Sequence, residues 1–125
     1  MVRFDSPHEV LLVRHTYGDR SLWSLPGGGF NRENEPADVA IRRELMEELM
    51  CSPRSLDILG EYRTDAEGKR DTVTLYLAKI LALGSTYSSE IQETKWCSVE
   101  ELESMPSVAR IARFGTRLYK QRLAQ

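Results

Sequence analysis

Val10, Leu11, Leu12 and Val13 form an unbroken apolar run, the pattern of a strand covered on both faces, so helices are expected on both sides of its sheet. Val2 to Phe4 offers a short partner strand, with Asp5-Ser6-Pro7 as the turn between them. From Tyr17 to Asn34 the periodicity stops. Gly18, Pro26, Gly27, Gly28, Gly29 and Asn34 predict a long loop, and long loops inside compact domains usually serve function. Ala37 to Met50 has no Gly or Pro and is rich in Leu, Met, Glu, Ala and Arg, which predicts a helix, with Pro36 suited to its first turn and Pro53 beyond its end. Leu56 to Thr64 and Asp71 to Leu83 read as two strands joined through Asp65-Ala66-Glu67-Gly68. After a polar stretch, Ser98 with Glu101 resembles a capping box for a short helix, and the apolar spacing past Pro106 predicts a final helix from about Ser107 to Leu123. Strands mixed with two or three helices predict an α/β or α+β sandwich. The central and C-terminal helices should cover opposite faces of a mixed sheet.

Length agrees with a single domain over residues 1–125, large enough for one core with a cleft and too small for a two-domain enzyme. No apolar stretch approaches the roughly 18 residues of a membrane span. The longest, Leu75 to Leu83, has nine residues and contains Lys79. The start of the chain does not read as a basic leader with an apolar core, and Cys51 and Cys97 give no disulfide framework, so a reducing cytoplasm is the expectation. Seventeen basic against nineteen acidic residues give a formal charge of −2, which argues against nucleic-acid binding by bulk charge.

The central helix concentrates acids. Taking about 100° per residue and setting Glu44 at zero, Glu48 falls at about 40° and Glu47 at about 300°, so three carboxylates share a sector. Arg42 and Arg43 are expected to project elsewhere, leaving the acids to be neutralised by something else. Ile41, Leu45 and Leu49 on one side, and Val39, Met46 and Met50 on the other, predict a helix packed between layers. A solvated acidic face is one reading of this cluster. The other is a site for Mg²⁺ or Mn²⁺, since carboxylates confined in a groove ionise together only with a cation, and hard oxygen ligands select those ions. Gly27, Gly28 and Gly29 bear on the choice, because consecutive glycines let backbone approach a phosphate or metal closely.

The stretch Gly29 to Cys51, GFNRENEPADVAIRRELMEELMC, resembles the Nudix box of the MutT-like Nudix hydrolase family, G-x5-E-x7-R-E-U-x-E-E-x-G-U with U aliphatic. Gly29, Glu35, Arg43, Glu44, Leu45, Glu47 and Glu48 fall in register, and the preceding WSLPGGG is similar to the family as well. Two positions depart: Met50 replaces the family glycine and Cys51 an aliphatic residue. Met50 must then either take up the left-handed turn itself or shift the helix stop to Ser52-Pro53.

The resemblance implies a Nudix-type α/β/α sandwich and hydrolysis of a nucleoside diphosphate linked to another moiety, by water attack at phosphorus. It implies Glu44, Glu47 and Glu48 as metal-binding carboxylates, with Glu44 also orienting or deprotonating water, and a metal contact from the Gly28 carbonyl. Glu35 and Arg43 would pair to lock loop against helix. A further acid is expected before Trp96, with Glu90 favoured over Glu93. Tyr17, Trp23 and Phe30 are candidates to stack on a base or to anchor packing, Arg14 to bind phosphate or sit as a surface charge, and Gly27 and Gly29 to line the substrate. His8 and His15 read as structural or exposed. Nucleoside triphosphates or nucleotide sugars are the favoured small-molecule substrates. The alternative is a degenerate module that binds RNA or an acidic partner through Arg110, Arg113, Arg117 and Lys120, a basic face read otherwise as solvated.

Overall fold

Among the described residues eight elements follow one another: β1 (Val2–Arg3), β2 (Glu9–His15), α1 (Ala37–Leu49), β3 (Ser55–Thr64), β4 (Asp71–Lys79), β5 (Ile91–Ser98), α2 (Val99–Ser104) and α3 (Arg110–Leu123). This computed structural model describes residues 2–3, 9–16, 20–27, 35–64, 71–80, 82–84 and 87–125. The strands form one sheet in the order β3-β4-β1-β2-β5. It is mixed: β1 runs parallel to β4, and the remaining neighbours are antiparallel.

β2 explains the layering. Side chains alternate across a strand, so Val10 and Leu12 enter one apolar cluster with Leu102, Ala112 and Tyr119, while Leu11 and Val13 enter a second with Leu45, Leu49 and Ile80. All four strand residues are fully buried. Each such side chain removed from water contributes about 1.5–3 kcal/mol, which makes β2 the common wall of both half-cores. The sandwich expected from the sequence is the observed architecture, with α1 on one face and α2 and α3 on the other.

Several boundaries differ from expectation. β4 ends at Lys79 rather than Leu83, because the chain leaves the sheet and its amides turn to α1: Gly84 N–H donates to Leu49 O at 3.1 Å. The polar stretch before Ser98 contains β5, an edge strand pairing with β2 from Glu9↔Ser98 to His15↔Ile91. A register shift beside Arg14 and His15 breaks its alternation, and Gln92, Glu93 and Lys95 are exposed, so its sequence lacks the usual strand pattern. α3 starts at Arg110 instead of Ser107. Ser107 has φ 56°, and Trp23 bridges to Val108 through bonds to the flanking backbone, which holds this stretch extended. The capping box at Ser98 is present, with its Oγ accepting from Glu101 N–H at 3.0 Å. The expected turn at 65–68 and the segment Phe4 to Pro7 lie outside the described residues.

Candidate active site

α1 carries the acids. Glu44 and Glu48, one turn apart, are 8% and 4% exposed, whereas Glu47 is exposed. Glu48 is gripped from two sides: its Oε2 accepts from Gly27 N–H at 2.9 Å, and its Oε1 lies 3.5 Å from His15 Nε2. Gly27 is required here. It has φ +97°, and a Cβ at that position would stand 2.9 Å from Ile41 Cδ1 and 3.4 Å from Glu44 Oε2. Gly27 therefore lies directly on the buried acid pair.

Arg43 corrects one expectation. It does not project away from the acids: Nη1 meets Glu47 Oε2 at 3.1 Å, and Nη2 lies 3.9 Å from Glu44 Oε1. Its main partner is Glu35, joined by Nε to Oε2 and by Nη2 to Oε1, both at 3.0 Å. The hydrogen bond to Glu35, with the nearby charges of Glu35, Glu47 and Glu44, raises the Arg43 pKa above its already high value, so the guanidinium stays charged. Part of the neutralisation assigned to an outside cation is thus internal. Among the described residues no three acidic, His or Cys groups form a ready-made metal cluster.

The packing of α1 is also one-sided. Leu45 and Leu49 are buried with Ile41 beside them, but Val39, Met46 and Met50 are 47%, 49% and 51% exposed, so the second flank is open rather than packed. The helix ends at Leu49, and Met50 takes the left-handed conformation itself, φ 50° and ψ 42°. Of the two ways to replace the family glycine, the chain uses strain.

His15 was missed by sequence reasoning. Strand parity was the available signal, since residues 11, 13 and 15 of β2 alternate toward α1. Arg14 points the other way. It pairs with Glu93 and stacks over Trp23, its guanidinium carbon 4.9 Å from the ring centroid, while Trp23 packs on the α3-side core. The structure thus joins Arg14, Trp23 and Glu93 into one group and separates it by the sheet from Glu44 and Glu48. Glu90 is exposed; its carbonyl accepts from Thr16 N–H at 2.9 Å, and two residues earlier Ser88 N–H donates to the backbone carbonyl of Glu48 at 3.1 Å, but among the described residues Glu90 completes no acidic cluster with Glu44 and Glu48. Tyr17, Gly28, Gly29, Phe30 and His8 lie outside the described residues.

The basic face of α3 is partly committed. Arg113 donates to Met105 O at 2.5 Å and to Leu102 O and Glu103 O at 3.5 and 3.4 Å, closing the C-terminal end of α2. Lys120 pairs with Glu103, and Arg122 donates to Ile58 O at 2.7 Å. The reading of this face as solvated is corrected for Arg113, whereas Lys120 and its partner Glu103 both stay exposed.

The sheet and its flanking helices are those of a known class of α+β sandwich. A MutT protein from Methanosarcina mazei superposes with a TM-score of 0.81 at 22% identity, over 99% of this chain and 91% of that one. The NUDIX domain family matches residues 1–118, and the chain belongs to the Nudix hydrolase family. Among curated relatives, a CMP-5'-(N-acetyl-N-hydroxy-3-aminopropyl)phosphonate hydrolase of Streptomyces rubellomurinus is 32% identical over 86% of this chain and 53% of its own length. The diphosphoinositol polyphosphate phosphohydrolase 3-alpha of Homo sapiens is 30% identical over 79% of this chain and 60% of its own length. The chain therefore spans between half and two-thirds of these relatives. No helix among the described residues is long and apolar enough to cross a membrane.

Proposed function

We propose that residues 1–125 form one catalytic domain that hydrolyses a phosphoanhydride bond in a small nucleotide, a nucleoside triphosphate or nucleotide sugar, with Mg²⁺ or Mn²⁺. The observation that carries this reading is the buried Glu44 and Glu48 pair beneath Gly27, where there is no room for a Cβ. Two carboxylates held this far from water are costly unless a cation joins them, and Arg43 and His15 leave room for more positive charge. The names of the two curated relatives, a hydrolase of a CMP phosphonate and a diphosphoinositol polyphosphate phosphohydrolase, support a substrate rich in phosphorus–oxygen groups. Free, buried thiols at Cys51 and Cys97 suit a reducing cytoplasm.

The residues we assign to the ion are Glu44, Glu47 and Glu48 from α1, with the Gly28 carbonyl and Glu90 as the further acid, oxygen donors of the kind that hard divalent ions take. When bound, the ion would polarise phosphoryl oxygens and lower the pKa of a coordinated water. The chain's own residues do the rest. Glu44, beside Gly27, orients the attacking water and takes its proton. Gly27 N–H fixes one Glu48 oxygen, leaving the other turned toward His15. The Glu35–Arg43 pair ties the segment just before α1 to the middle of the helix, so the carboxylates keep their spacing as the anionic substrate arrives.

A panel of nucleoside triphosphates and nucleotide sugars, assayed with Mg²⁺ or Mn²⁺ for released phosphate or nucleoside monophosphate, tests the reading. Turnover of at least one substrate, abolished by excess chelator, is expected. Absence of turnover across the panel, or turnover indifferent to chelator, overturns it.

A further inference from the structure

The segment that delivers Gly27 to Glu48 is clamped on both sides just upstream. On one side, Ser24 N–H donates to Val13 O at 2.8 Å and Val13 N–H to Ser24 O at 2.9 Å, which ties the segment to β2. On the other, Trp23 N–H donates to Ser107 O and Ala109 N–H to Trp23 O, both at 2.8 Å. Residues 23 and 24 thus lie between β2 and the link from α2 to α3, antiparallel to the first and parallel to the second. That link is itself strained. Ser107, whose carbonyl takes the Trp23 amide, has φ 56°, a conformation that persists only where the surroundings over-determine it.

The stretch from the clamp to Gly27 is short and stiff. Leu25 is buried in the α3-side core and precedes a proline, which confines it to extended backbone, and the ring of Pro26 fixes its own φ. A rotation at Trp23 is therefore carried to Gly27 instead of being absorbed. There the tolerance is small: the Gly27 amide meets Glu48 Oε2 at 2.9 Å in a space with no room for a Cβ.

We propose that Ala109 is a positioning residue: its amide, with the Ser107 carbonyl, holds Trp23 from the side away from β2 and so keeps the Gly27 N–H on Glu48. A segment bonded only to β2 can pivot about that pairing, and the second pair of bonds closes the pivot. The α2–α3 link thereby reaches the acid pair across the end of the sheet. Its bearing on turnover rests on the hydrolase reading above, whereas its bearing on the Gly27 contact does not.

The test is Ala109→Pro. Ala109 has φ −62°, which proline shares, and caps the start of α3, so the change deletes the bond to Trp23 O and no bond inside the helix. Val108 before it is paired with Trp23 in extended backbone, as a residue preceding proline must be. Amide exchange of the full chain is followed by NMR, with Val10→Ala as the comparison, because it weakens the same half-core and leaves all these bonds in place. In Ala109→Pro, exchange at Gly27 should rise about tenfold relative to the slowest core amides, the scale of one lost backbone bond. On the best substrate of the panel, kcat should fall about fivefold or more, with KM within about twofold. Val10→Ala should speed the slowest core amides and leave Gly27 exchange and kcat within about twofold of the parent. Parental exchange at Gly27 in a folded Ala109→Pro, equal acceleration at Gly27 in Val10→Ala, or faster Gly27 exchange with kcat unchanged overturns the proposal. If Ala109→Pro does not fold, the parent decides: its Trp23, Gly27 and Ala109 amides should open as one unit with a common denaturant dependence, and separate opening of Gly27 overturns the proposal. A parent without turnover overturns the hydrolase reading alone, since exchange at Gly27 is read without substrate.

Discussion

On α3 the buried positions are Ala112, Gly115, Thr116 and Tyr119, and the charged side chains lie toward solvent or on neighbouring carbonyls. On α1 the buried positions include Glu44 and Glu48, while Val39 and Met46 stand about half exposed. Both helices cover the same sheet from opposite sides, so solvent and core cannot account for the contrast. A helix chosen for stability alone would exchange those residues, because burying a carboxylate costs free energy and exposing Met or Val forgoes some. The arginines differ in the same sense. Arg43 holds carboxylates in place, whereas Arg113 closes a helix end. On the function proposed above, charge on α1 serves chemistry, while charge on α3 serves structure.

The sharpest way to break this contrast is Glu48→Gln. Turnover in Mg²⁺ should fall by more than about a hundredfold, as a ligand charge is lost. The melting temperature should hold, because the amide oxygen can still accept from Gly27 N–H. Full turnover by this variant would remove the chemical reading of α1. Arg43→Lys comes next, since an ammonium cannot reproduce the paired bonds to Glu35. A loss of about tenfold in kcat/KM is expected, measured on the best substrate of the panel.

On α3 the order reverses. Arg113→Gln should cost about 2 kcal/mol in chemical denaturation, through three carbonyls left without a charged donor, and leave kcat/KM at 0.1 M salt unchanged. A catalytic defect in this variant would bring α3 into the site. The smallest effect belongs to Lys120→Met. The hydrogen bond and charge of Glu103 raise the Lys120 pKa above its usual 10.5, so the folded state holds this proton more tightly than the unfolded chain. That contribution is complete below pH 10.5 and fades as pH rises through the higher folded value. Parent and variant melting curves should therefore differ slightly at pH 7 and converge in strong alkali.

The parts legible in the sequence were those written in short-range pattern. The apolar run Val10–Val13 announced a strand covered on both faces, the spacing of Glu44 and Glu48 put two acids on one helix face, and Ser98 with Glu101 marked a helix start. What escaped depends on partners distant in sequence. β5 carries Gln92, Glu93 and Lys95 on an edge and is a strand because β2 supplies its ladder. His15 gains its meaning from Glu48, 33 positions away, and Arg14 from Glu93 and Trp23. The start of α3 was read too early because the bridge between Trp23 and Val108 keeps backbone extended where local propensity allows a helix.

The alternation of β2 has a bearing on how this chain tolerates insertions and deletions. Arg14 and His15 are adjacent, yet one serves the Trp23 group and the other the buried glutamates. Losing or gaining one residue within Glu9–His15 would exchange their faces and turn Val10 and Leu12 into the wrong half-core, a reversal that no single compensating substitution repairs. Length changes that preserve the protein should therefore fall outside this heptapeptide. A deletion scan across residues 9–15 should find each single-residue loss as damaging as the next, whatever the side chain removed.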